Sequence, residues 1–474
     1  MAAGITSFGA YIPMYRMNLE TLNQVWGGWP MPGEKAVANC DEDSLTMAVE
    51  ASIDCLNGID RKSVDSLYFA SVTPVYREKQ TASIIAKVTN MRRDVATIDI
   101  ANSLRGATLA MRAAVDAISA GSAKRALVAA ADCRIPPPDS EFERLFGDGA
   151  AALLFGDSDI AVEIEGSYSV SSEFIDIWRR EEDDAVQTWE DRFVITQGYF
   201  EHLQEVVLGL FKKYNLTPKD FDKVVLYAWN ARRHRELAGR LGFDFEAQVQ
   251  DPLLIAIGHT GTASALMMLV AALEKAKPGD RILFANYGDG ADAYILRVTD
   301  GIEKLRDRRG IKKHLDSKAM ILNYGKYLHF RNMMQWAVQR EPPQYAALTM
   351  SWRDRDWVLS CTGYKCRRCG TIQFPKQRVC TWCQAKDEFD DVVLADKRGT
   401  VFTYSLDYLT TVTPDPPNII AVVDLDGGGR IYTTMTDRDP EKLTPNMQVE
   451  LTFRRLHDSQ GVHNYFWRCR PIRV

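Results

Sequence analysis

Phe146-Gly147-Asp148-Gly149-Ala150 and Tyr287-Gly288-Asp289-Gly290-Ala291 are two copies of one loop. Each is preceded by the same order of elements. A tight turn at Asn102–Ser103 opens a predicted helix over Leu104–Ala120, and a short apolar strand over Ala126–Ala130 leads toward the first loop. A tight turn at Gly258–His259 opens a predicted helix over Thr262–Lys275, and the strand Arg281–Asn286 leads into the second. Further strands are expected at Ser66–Val72 and Lys223–Ala228. Strands alternating with Ala-rich helices point to a buried, largely parallel sheet wrapped by helices. A repeat of this length points to two packed half-domains, 1–165 and 166–300, rather than a solenoid of short units.

The 474-residue chain has room for two or three domains, and 46% hydrophobic residues supply a core. A net charge of −5 argues against a general nucleic-acid binder. No stretch approaches the roughly 20 apolar residues of a membrane span. Residues 1–13 show no basic region followed by an apolar run, so no secretory leader is expected. Nine cysteines, five of them scattered, suit a reduced, cytoplasmic protein.

Residues 301–345 read as a helical linker. Met333, Trp336 and Ala337 fall at helical spacing, and Pro342–Pro343 ends the stretch. From Trp352 onward, short alternating strands and the loops Pro414–Pro417 and Gly427–Gly429 suggest an all-β module. Within it, Cys366-Arg-Arg-Cys369 and Cys380-Thr-Trp-Cys383 form two knuckles. Four thiolates fill a tetrahedral zinc site and leave no position for a reacting water, so the metal is expected to be structural. An iron site of rubredoxin type uses the same ligands.

Tyr364-Lys-Cys-Arg-Arg-Cys-Gly370, Phe374-Pro375, the second knuckle and Gly399-Thr-Val-Phe-Thr-Tyr-Ser405 resemble the zinc-ribbon and OB-fold proteins that accompany thiolase-type enzymes. The likeness covers about 320–474, divided here into a zinc ribbon at 346–390 and an OB-fold at 391–474. It implies acyl-CoA as ligand. Phe453, Arg454, Arg455, Tyr465, Trp467 and Arg468 are candidates for an exposed basic, aromatic face that could meet a nucleic acid or the diphosphate and adenine of coenzyme A, and the resemblance favours coenzyme A.

The first 300 residues resemble the condensing branch of the thiolase superfamily, nearest to hydroxymethylglutaryl-CoA synthase. Gly4–Pro13 resembles its opening strand, and Phe174–Arg180, Asp191–Phe193 and Tyr199–Phe200 its mid-chain segment. The two glycine loops and Gly258–Ser264 complete the likeness. The resemblance implies a thiolase-like duplicated α/β fold, a homodimer, a CoA thioester as substrate, and a cysteine nucleophile at the first buried helix.

That cysteine position holds Leu104, with Ser103 beside it. The family's glutamate falls near Val72 and its histidine near Tyr227, whereas His259 keeps a recognised catalytic type. Leucine cannot carry an acyl group. The leading expectation is therefore aldol or retro-aldol chemistry beside a thioester. In it His259 polarises the carbonyl and Tyr227 handles the hydroxyl proton. Backbone N–H groups near Gly290 and Leu104 complete an oxyanion hole. The alternatives are a Claisen-type synthase using Ser103 or Cys133, and a non-catalytic acyl-CoA-binding scaffold. Asn102 is read as a helix cap and Asp148 and Asp289 as loop-stabilising residues, while Glu78 and Glu141 are left without a role.

Overall fold

A computed structural model of the protein describes residues 3–28, 31–334, 347–409 and 415–473. Trp336, Ala337, Pro342–Pro343 and Pro414 lie outside the described residues. The chain divides into two compact units: residues up to 38, 43–86 and 91–324, and residues 39–42, 87–90 and 325 onward.

The first unit is organised by nine strands. They are β1 (Gly4–Tyr11), β2 (Ser66–Ala70), β3 (Ala96–Ile100), β4 (Arg125–Asp132), β5 (Gly149–Gly156), β6 (Val162–Ser171), β7 (Lys223–Leu226), β8 (Arg281–Tyr287) and β9 (Gly290–Val298). Their order is β7-β8-β9-β6-β1-β5-β4-β2-β3. The duplication is visible in the pairing. β1-β5-β4-β2 and β6-β9-β8-β7 each run antiparallel, antiparallel, parallel. β3 extends only the first series, parallel to β2.

The expectation of a largely parallel sheet is corrected. Five of its eight neighbour pairs are antiparallel. The two-residue loop Gly288–Asp289 closes β8 directly onto β9, a reversal that can only produce an antiparallel pair, while β4 and β5 pair antiparallel across the longer connection 133–148. The sequence hid this because β5 is buried at all eight positions. A strand covered on both faces loses the alternation that marks an antiparallel edge.

Two helices lie in the core, each preceding the corresponding strand of its half: α1 (Gly106–Ser119) before β4 and α2 (Ser264–Leu273) before β8. α1 buries Ala107, Ala110, Met111, Ala114 and Ile118, the i, i+3, i+4 stripe of a one-sided helix. α2 buries all ten residues, as an apolar helix without a polar face must. α1 starts at Gly106, two residues later than predicted, and Arg105 occupies its N-cap without a side-chain bond. Asn102 is therefore not the cap. It takes the left-handed conformation, φ 71°, which asparagine tolerates better than most residues.

The expected linker is also corrected. Residues 301–324 belong to the first unit, where Ala319–Ile321 forms a strand parallel to Tyr15–Asn18. Short helices cover Lys312–Asp316 and Tyr324–Phe330.

In the second unit Trp352 lies in a helix, Leu348–Val358, so the β module begins only at Thr362. β10 (Thr362–Cys366), β11 (Ile372–Gln373) and β12 (Phe389–Val393) form a small sheet. β13 (Arg398–Asp407), β14 (Asn418–Leu425), β15 (Arg430–Met435), β16 (Gln448–Ser459) and β17 (Val462–Pro471) close into a five-stranded OB-like barrel. Phe453, Arg454 and Trp467 do not form an exposed face. Each is fully buried, and Tyr465 is nearly so. Arg454 Nη1 lies 3.1 Å from Asp41 and 2.7 Å from Glu42, and its Nη2 lies 2.5 Å from Asp437. No described helix is long and apolar enough to cross a membrane.

Candidate functional site

The first unit contains a cavity of about 1030 Å3. Its walls come from segments that follow strands: Val72 and Thr73 after β2, Asn102–Leu104 after β3, Arg134 and Ile135 after β4, Glu173–Arg179 after β6, and Gly288 and Asp289 after β8. Placement at the carboxyl ends of strands is where α/β sheets bind ligands.

Close approach explains the glycines. A Cβ on Gly288 would stand 2.9 Å from Arg105 N and 3.3 Å from the Leu104 Cβ. A Cβ on Gly147 would collide with the Ile257 carbonyl, and one on Gly258 would come 2.7 Å from the Leu145 carbonyl. Each half's glycine loop is thus pressed against the turn that precedes the other half's core helix.

Asp132, at the end of β4, ties three of these segments together. Its Oδ1 accepts from the Ser71 hydroxyl at 2.8 Å, Val72 N at 2.8 Å and both N and Oγ1 of Thr73 at 3.0 and 2.9 Å. Its Oδ2 accepts from Thr262 N at 2.6 Å. With every donor aimed at this carboxylate, the loops after β2 and β4 and the turn before α2 are held in one arrangement.

Beside it, the buried Arg134 donates from Nη2 to His259 Nδ1 at 2.6 Å and lies over the Phe146 ring at 3.7 Å. Gly261 N donates to the same Nδ1 at 3.2 Å. Arginine and a backbone amide can only donate, so Nδ1 is the acceptor and the proton of a neutral His259 sits on Nε2. Nε2 has no partner among the described residues. Burial, and then the charge of Arg134, hold His259 well below the usual histidine range.

His259 packs edge-on to Tyr227, with ring centroids 5.2 Å apart, but neither is among the residues lining the cavity. Tyr227 belongs to an aromatic cluster with Tyr199 and Tyr287, and burial pushes its phenol up. Tyr287 donates to Asp176 Oδ2 at 2.7 Å, and Ile177 N donates to Oδ1 at 2.6 Å. Burial, reinforced by the charge of Asp289, raises the Asp176 carboxyl despite these donors. A cavity-lining carboxylate in this state suits proton transfer.

Of the sequence candidates, Ser103 and Leu104 line the cavity together. Arg105 N points to the Ser103 hydroxyl at 3.4 Å. Gly290 is replaced in the lining by its neighbours Gly288 and Asp289. Asp289 stands exposed at φ 46°, while Asp148 accepts from Ala38 N at 2.8 Å as a loop-stabilising residue. Cys133 does not line the cavity; its N–H donates to Thr73 Oγ1 at 2.9 Å. Glu78 and Glu141 are exposed away from it. Arg134 and Asp176 were missed, because an isolated arginine after a strand and an aspartate in an aromatic segment carry no spacing signal.

In the second unit the four knuckle cysteines place their sulfurs within 4.8 Å of one another. Cys366 and Cys383 Sγ are 3.6 Å apart, and Cys369 and Cys380 Sγ 3.5 Å. A tetrahedron of about 2.3 Å metal–sulfur bonds has edges near 3.8 Å, so the set fits a single metal ion.

Residues 98–173 match the 3-oxoacyl-[acyl-carrier-protein] synthase III family and residues 211–298 its C-terminal family. Residues 392–454 match the C-terminal OB-fold domain of ChsH2. The hydroxymethylglutaryl-CoA synthase of Methanopyrus kandleri is 32% identical over 345 residues, 70% of this chain and 98% of that protein. That of Aeropyrum pernix is 35% identical over 346 residues, 70% of this chain and 95% of that protein. The chain belongs to the hydroxymethylglutaryl-CoA synthase family. Solved structures agree on the fold. MvaS in complex with 3-hydroxy-3-methylglutaryl coenzyme A superposes with a TM-score of 0.65 at 19% identity, covering 73% of this chain and 95% of that one. PksG, an HMG-CoA synthase from Bacillus subtilis, gives 0.63 at 19% identity, covering 70% and 89%.

Membership in the hydroxymethylglutaryl-CoA synthase family corrects the aldol expectation. That reading rested on Leu104, Val72 and Tyr227 standing where the resemblance expects a cysteine, a glutamate and a histidine. The synthases match the chain over nearly their whole length, which places it among condensing enzymes.

Proposed function

We propose that the first unit condenses acyl-CoA thioesters in the Claisen manner of the synthase family, with the acyl group held on Ser103. The observation that carries this reading is the full-length match to named synthases, joined to a cavity at the strand ends where Ser103 lies. The Ser103 oxygen attacks the donor thioester, the carbon–sulfur bond breaks, and CoA leaves as the thiol with the hydroxyl proton. Arg134, oriented by neutral His259, supplies positive charge to the oxyanion. Asp176 takes the α-proton of the acyl-serine. The resulting carbanion adds to a carbonyl carbon of the second CoA ester, the alkoxide formed takes the proton back from Asp176, and water splits the serine ester into a carboxylic acid and the free Ser103 hydroxyl.

The four-cysteine set holds Zn2+ in a structural role, because thiolate donors at tetrahedral spacing suit it and all four positions are filled. A cytoplasmic homodimer completes the reading. Cys55, Cys361 and Cys469 are buried free thiols, as a reducing compartment permits. Light scattering tests the dimer.

The activity is tested by incubating the zinc-loaded protein with pairs of CoA esters and following thiol release and product mass. A stoichiometric burst of thiol from the donor alone, and a carbon–carbon-linked product with continued turnover only when both esters are present, are expected. No release from any pair would contradict the reading.

A further inference from the structure

Leu104 and Val72 occupy positions that the family resemblance gives to a reactive thiol and a carboxyl, and both line the cavity. They put aliphatic side chains in the lining where the resemblance expects polar, reactive ones. Farther along the walls, Ile135 is 39% exposed, Ile175 63%, Trp189 63% and Phe193 44%. Single exposed apolar side chains are ordinary on a protein surface. Four of this size converging on one cavity are not. Phe193 is held by stacking on Phe174 at 5.3 Å, and Phe174 is seated where a Cβ on Gly198 would stand 2.6 Å from its ring.

The volume points the same way. About 1030 Å3 is at the top of the roughly 300–1,000 Å3 range of drug-sized ligand pockets. An acetyl group on a pantetheine arm leaves much of such a space to water against isoleucine and indole. An extended or ring-bearing hydrocarbon would displace that water.

We propose that the acyl group this cavity selects is bulky and apolar, of the size of octanoyl or larger, rather than acetyl or acetoacetyl. The inference rests on the reading that the site takes CoA thioesters. Each methylene moved from water into the cavity tightens binding by up to about fourfold. The substrate class is then set by the wall built from Ile175, Trp189 and Phe193, and Leu104 forms the apolar floor.

Calorimetric titration of the zinc-loaded full chain with CoA, acetyl-CoA and octanoyl-CoA tests this. Octanoyl-CoA should bind at least about tenfold more tightly than acetyl-CoA. The octanoyl-to-acetyl ratio should fall toward one in Trp189→Ser and in Ile175→Asn. Both changes lie at exposed positions, and circular dichroism verifies the fold. Equal affinity for the two esters would overturn the apolar-acyl inference while leaving the CoA-thioester reading in place. A ratio unchanged in both variants would also overturn it, because the chain would then bind elsewhere. Failure of CoA and both esters to bind would overturn the underlying reading itself.

Discussion

Arg134 Nη2 donates to His259 Nδ1 across 2.6 Å, and this contact fixes which histidine nitrogen carries the proton. A cation bonded to an imidazole lone pair also resists protonation of that ring, adding to the effect of burial. Arg134 faces the cavity and His259 stands behind it, so the histidine acts through the arginine as a positioning residue.

Acid sensitivity should follow from this pair and from His234, which burial lowers to about 4. Unfolded histidines titrate near 6.5. Both groups are depressed in the fold, so the stability they confer is fully present above about pH 6.5. It is lost as pH falls toward the folded-state values. Denaturant unfolding between pH 7 and 5 should show a slope approaching about 2.7 kcal/mol per pH unit from the two together. His259→Gln and His234→Gln should each remove about half. An unchanged slope in both variants would contradict this assignment.

Glycine substitutions should separate by contact. Gly147→Ala must displace the Ile257 carbonyl, and Gly288→Ala must move Arg105 N at an unfavourable φ of 150°. Each should cost roughly 1–3 kcal/mol or more. Gly239 lies within the helix Ala231–Arg240, and a Cβ there meets nothing within 4 Å. Gly239→Ala should stabilise by about 0.5–1 kcal/mol. Chemical denaturation of the three variants gives the comparison.

Metal removal should act on the second unit. Elemental analysis should find one zinc per chain, and Cys380→Ser should abolish it. Loss of metal should open 362–393 to protease, because β10, β11 and β12 have little core beyond the cysteines, Ala385 and Phe389. Retained metal in Cys380→Ser would contradict the four-ligand site.

Arg454→Met should destabilise the second unit by up to about 3–5 kcal/mol, since Asp41 keeps Arg468 and Asp437 keeps Arg470 but the cation shared with Glu42 is lost. Calorimetry of the full chain should show the lower transition shifted and the other retained.

Much of the fold was legible because its devices are local. A Gly-Asp-Gly loop recurs where backbone must approach backbone, and two CxxC knuckles announce a metal site without any tertiary knowledge. Strand direction was not legible in β5, where burial on both faces erases alternation. Arg454 read as surface because a charged residue in a strand ordinarily faces water; its acidic partners Asp41 and Glu42 lie some 400 residues away in sequence. The site divided in the same way. Ser103 and Leu104 could be placed from the helix that follows them. Arg134 could not, since its role depends on Phe146 and His259, brought beside it only by the fold.

Condensation through an acyl-serine requires Ser103 to carry the acyl group. Intact-mass spectrometry of protein quenched in acid after brief exposure to an acyl-CoA tests it most directly. A single added acyl group, absent in Ser103→Ala and retained in Cys133→Ala, is the predicted result. No adduct in the unmodified chain under turnover, or an adduct that persists in Ser103→Ala, would contradict it.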